Sequence, residues 1–191
     1  MKFTKIPETT FQNLQINAGI LLRDFDPETA ETENSAIIGA TSGGVSFSAT
    51  PPYSDYGADI DNAPRNTKEL KRLDNWDVSM SGTFITVDAP MIKTLISAAD
   101  VDGNQITPRN DVKSEDFEDI WWVGDYSDKN EESDGGFVAI HMLNSLSTGG
   151  FSMQSNDRGK GTFSFTFTGH YSIADQTKVP FEVFVKQGGS I

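Results

Sequence analysis

The residues best suited to chemistry in this chain are two histidines, His141 and His170, and a surplus of carboxylates, 28 Asp and Glu against 15 Lys and Arg. A general base needs a histidine or a perturbed carboxylate held against a second group, and a metal needs several ligands at set offsets. Both histidines alternate with hydrophobic or aromatic neighbours in segments of strand character. Each reads as a solvent-facing strand residue, with no third ligand or nucleophile at a useful spacing. Asp55, Asp59 and Asp61 suggest a calcium loop, yet the central glycine and terminal bidentate glutamate of such loops are missing. A solvated or intersubunit loop is the better reading, as it is for Glu131, Glu132 and Asp134 ahead of Gly135.

Gly159-Lys160-Gly161 has neither phosphate-loop nor dinucleotide-fold spacing, and no G-x-S-x-G elbow occurs. There is no cysteine, which excludes disulfides and thiolate metal sites. Adjacent strand residues point to opposite faces, so Trp121 and Trp122 read as one ring in the core and one outside it, in a second layer or an interface. The chain is expected to have no catalytic residue, no metal and no cofactor.

The elements that must position these residues are mostly strands. A chain of 191 residues suffices for one core, with about 70% of its unfolded surface buried. Its 13 phenylalanines favour pleated surfaces, and 17 glycines and 8 prolines supply turns. One domain, residues 1–191, is expected. Strand character begins at Asn17–Phe25, and Ile37–Ala49 reads as a strand pair or one strand bulged at Gly43-Gly44. Residues 50–72 lose all period and read as a long interaction loop. Trp76–Val87 alternates with Trp76, Val78, Met80 and Phe84 on one face. Asp88 and Pro90 open a helix over 88–100, with an apolar stripe through Met91, Ile92, Leu95, Ile96 and Ala99. Asp119–Tyr126 and Phe137–Leu143 read as hairpin partners. In Gly161–Tyr171, Phe163, Phe165 and Phe167 face the core, while the Ser, Thr and His170 face is free to line a channel or meet a neighbour. Val179–Lys186 is the expected partner strand.

A formal charge of −13 excludes a tight grip on nucleic acid, whose affinity for proteins comes mainly from Lys and Arg. It suits a surface past which DNA slides, since carboxylate repulsion acts over about 8 Å at physiological salt. Met1–Pro7 lacks the apolar run of a signal peptide, and no stretch is long enough to span a membrane. Synthesis and folding in the cytoplasm are therefore expected.

The chain resembles the major tail tube proteins of long-tailed phages infecting Gram-positive bacteria. The resemblance is carried by Asp116–Tyr126 (D-F-E-D-I-W-W-V-G-D-Y), by Gly150-Phe151-Ser152-Met153, and by Gly161–Tyr171 leading to Val179–Val183. It implies a mainly β (α+β) fold: two packed antiparallel sheets forming a β-sandwich or half-barrel with one flanking α-helix. It further implies a structural virion protein whose copies form hexameric rings, stacked into a hollow conduit for DNA during ejection. The expected partners are further copies of the chain and the tape measure, tail tip and tail terminator proteins. DNA would pass the lumen without specific binding, and no membrane is involved. Residues 50–72 look like the arm between rings, with Tyr53, Asp55, Tyr56, Asp59, Asp61 and Arg65 as contact residues. That arm and Met1–Leu14 are expected to order on assembly. The tube of a contractile tail, tailocin or type VI-like device shares this pattern, and a carbohydrate-binding β-sandwich is the reading from another class.

Overall fold

The computed structural model describes residues 5–7, 10, 14–30, 36–126 and 136–186. In chain order the elements are β1 (Ile20–Leu22), β2 (Ile37–Gly39), β3 (Thr41–Thr50), β4 (Tyr53–Asp55), β5 (Lys71–Leu73), β6 (Asp77–Phe84), α1 (Ala89–Ile96), β7 (Ala99–Asp102), β8 (Gln105–Pro108), β9 (Glu118–Tyr126), β10 (Gly136–Ser147), β11 (Ser152–Gln154), β12 (Thr162–Thr168) and β13 (Phe181–Lys186). The fold is mainly β with one α-helix, as the alternation and turn residues predict.

The large antiparallel sheet runs β2-β1-β9-β10-β12-β6-β3, with β13 beside β10 and β11 beside β12. It has two halves that share β10. Phe137–Met142 of β10 pair with β13, whereas Leu146 and Ser147 pair with β12. Between them the register slips, and Asn144 adopts a left-handed φ of 47°. A bulge of this kind lets one strand turn the corner from one layer into the next. The path stays open from β2 to β3.

The two layers close on one apolar core. Leu21, Ile38, Ile120 and Met142 come from the first layer, and Val78, Met80, Phe84, Phe163, Phe165 and Phe167 from the second, while Met91 and Leu95 of α1 join them. The strict alternation of β12 drives this, since every second residue faces inward on a strand. Gly82 makes room for the crowd: a Cβ there would stand 2.7 Å from the Phe165 ring. A second cluster, Leu22, Phe25, Trp121, Phe137 and Ala139, covers the other face of the first layer.

Several expectations are corrected. Asn17 and Gly19 have φ values of 72° and 69°, so the strand expected at Asn17–Phe25 shrinks to Ile20–Leu22. The helix expected over 88–100 is Ala89–Ile96. Asp88 caps it as predicted, its Oδ1 accepting the Met91 N–H at 2.7 Å. Ser97 stops it with a φ of 59°, and Ala99 already belongs to a hairpin whose turn is Gly103-Asn104, with Asp102 paired to Gln105. The apolar stripe could not reveal that hairpin, because Ala99 is buried in either conformation. The closing strands are shorter than predicted, Thr162–Thr168 and Phe181–Lys186, and are not each other's partners: β12 lies against β6, β10 and β11, and β13 against β10. Pro180 has no N–H for a ladder, and its carbonyl instead accepts the Leu143 N–H at 3.0 Å.

Candidate assembly surfaces

The aperiodic segment 50–72 is a hairpin arm. Tyr53, Ser54 and Asp55 pair with Leu73, Arg72 and Lys71. Strands of three residues are too short to show a period, which is why the sequence reads as loop. Asp55 organises the tip: Oδ1 accepts the Gly57 N–H at 3.0 Å and Oδ2 the Asn66 N–H at 2.9 Å. The Asn66 and Gly57 N–H groups, with Lys71 and Arg65 nearby, hold its carboxyl below the usual range. Asp55 is thus a scaffold of the arm, occupied by backbone donors. Tyr53, Tyr56, Asp59, Asp61 and Arg65 are exposed on the arm, and Tyr53 lies opposite exposed Leu73. Among the described residues no group of three His, Asp or Glu side chains converges as metal ligands. Glu131, Glu132 and Asp134 lie outside the described residues, as does most of Met1–Leu14.

Two edges of the sheet are long. Among the described residues β3 pairs only with β6, and β13 only with β10. On β13, Val183 and Val185 are 51% and 58% exposed, an apolar strip on an unpaired edge. Where the two edges converge, Phe181 of β13 packs against Phe47 of β3 and Trp76, with centroids 5.6 and 5.4 Å away.

The outward face of β3, β6 and β12 is a ladder of hydroxyls. Ser46, Ser81 and Thr166 form one row across the three strands, and Ser48, Ser79 and Thr168 the next. Ser164 continues the pattern between Thr83 and Ser152. His170, expected on this face, leaves it: its Nδ1 is 3.1 Å from the Asn144 carbonyl, and its ring packs edge-on against Phe117. The ladder row Ser48, Ser79 and Thr168, with Trp76, Tyr171 and Asp77 at its end, borders an open groove of about 480 Å³. The Tyr171 hydroxyl accepts the Trp76 N–H there at 2.9 Å.

His141 also departs from expectation. Its side chain is 14% exposed, with Nε2 3.2 Å from Asp119 Oδ2 and Nδ1 3.5 Å from Glu182 Oε2. Sequence reasoning missed this cluster because Asp119, His141 and Glu182 meet only through the register of β9, β10 and β13. The two tryptophans divide as strand geometry requires, but neither is left outside. Trp121 fills the second cluster, while Trp122 packs on the main core and donates its indole N–H to the Ala18 carbonyl at 3.0 Å.

No protein-family model matches the sequence, and no curated protein matches it.

Proposed function

We propose that this chain is the subunit of a phage tail tube, whose copies form rings that stack into a hollow conduit for DNA. The observation that carries this reading is the pair of long edges, β3 and β13, left unpaired among the described residues on an open two-layered sheet. Exposed edges are a liability for a free monomer and a means of joining for a protein whose copies pair sheet to sheet. Closure into a ring removes them. The arm supports the same reading: exposed Tyr56 and Ile60 at its tip suit a ring-to-ring contact, which propagates as a filament because it is heterologous. A charge of −13 suits a conduit that must release DNA.

The tube of a contractile tail, tailocin or type VI-like device would use the same surfaces, and a sheath gene beside this one would mark it. Electron microscopy of the purified chain tests the proposal, with rings or tubes expected. A second reading, a carbohydrate-binding β-sandwich, is supported by the groove at Trp76 and Tyr171. A persistent monomer that binds a glycan would decide for it.

A further inference from the structure

We infer that the hydroxyl face of β3, β6 and β12 lines the conduit and is the surface past which DNA slides. The inference rests on the tube reading and names the face that does the work. Its two central rows, Ser46–Ser81–Thr166 and Ser48–Ser79–Thr168, carry no charge in a chain whose residues are 23% charged. The first charge along these strands is Asp77, opposite Thr50 at the sheet end.

That composition decides between the two uses open to this face. In a dry contact with a neighbour, each hydroxyl would lose water and need a partner of its own. Facing a solvated bore, the hydroxyls keep their water or bond one another, as Thr148 and Thr168 do at 2.7 Å. Toward a passing phosphate backbone such a face is neutral in both senses. Without Lys or Arg it displaces no counterions and gains no affinity. Without carboxylates it raises no barrier to a polyanion entering. Short side chains also leave little to snag. The acidic surplus then lies on other surfaces of the subunit, outside both this face and the arm, whose residues 50–72 balance four carboxylates with four Lys and Arg.

The absence of cysteine makes a direct test possible. Ser81→Cys and, separately, Thr166→Cys would be reacted with N-ethylmaleimide and with a maleimide on a polyethylene glycol too bulky to enter the bore, before and after assembly. Both reagents should label the unassembled subunit. Assembly should abolish labelling by the bulky reagent and leave labelling by the small one. Persistent labelling by the bulky reagent would put the face outside the tube, and loss of both would put it between subunits; either result overturns the inference while tubes remain visible by electron microscopy. If the unsubstituted chain forms no rings or tubes, the tube reading falls and the inference with it.

Discussion

The imidazole of His141 lies flat on the indole of Trp121, with centroids 3.9 Å apart and planes 6° from parallel. His141 on β10 spans from Asp119 on β9 to Glu182 on β13, so one side chain ties the edge strand to the strand two places away in the same layer. The ring of His141, followed by the Asn144 N–H, holds the Asp119 carboxyl below the usual carboxylate range. A depressed carboxylate stabilises the fold above its unfolded value near about 4, and that support is lost as pH falls through the lower folded value.

His141→Ala removes a stacked ring and a hydrogen bond and should cost about 1–3 kcal/mol at neutral pH. Urea denaturation measures this. Amide exchange along Phe181–Lys186 should also quicken in the variant; unchanged protection there would mean that β13 does not depend on the tie.

Asp116 has no exposed side-chain surface; its two oxygens accept from the single Arg109 Nη2 at 2.7 and 2.8 Å, and it also receives Lys93 at 3.2 Å and the Lys113 N–H at 2.8 Å. Burial works to raise its pKa, but these donors outweigh it and hold the carboxyl low. The group therefore stabilises the fold above the unfolded carboxylate range, and acid removes that contribution below about pH 4. Asp116→Asn leaves Arg109 and Lys93 without their shared anion and should cost about 3 kcal/mol at neutral pH. The deficit should shrink on acidification, as thermal melts at pH 7 and below pH 4 would show.

Gly82→Ala should destabilise the chain by about 1–3 kcal/mol, because the new methyl meets the Phe165 ring at 2.7 Å and the Gly44 carbonyl at 3.1 Å. A melt of the variant checks this, and an unchanged midpoint would show that Phe165 repacks freely.

Tyr56→Ala with Ile60→Ser removes exposed apolar surface from the arm tip and should leave monomer stability within about 0.5 kcal/mol. On the tube reading it should abolish stacking while single rings persist, which electron microscopy would separate from loss of rings altogether.

The layers were legible wherever a strand is long and faces a core on one side. Phe163, Phe165 and Phe167 alternate with hydroxyls, and all three are buried. Gly43 and Gly44 marked a bulge, and both hold φ at 81° where the β3–β6 register shifts. Signals failed where two structures accept the same residues. Ala99 suits a helix or a strand, and the short arms at Tyr53 and Lys71 carry no period. The tie at His141 and the two central hydroxyl rows depend on which strand lies beside which, and single-strand periodicity contains no such information.

The central claim is that copies of this chain join through the edges of β3 and β13. A helical reconstruction of assembled particles tests it most directly, since it would reveal what lies beside each edge. The account predicts that both edges are paired with neighbouring copies, that Val183 and Val185 are covered, and that the hydroxyl ladder surrounds an open bore. Particles in which β3 and β13 remain solvent-facing, or a chain that stays monomeric at every concentration, would contradict it.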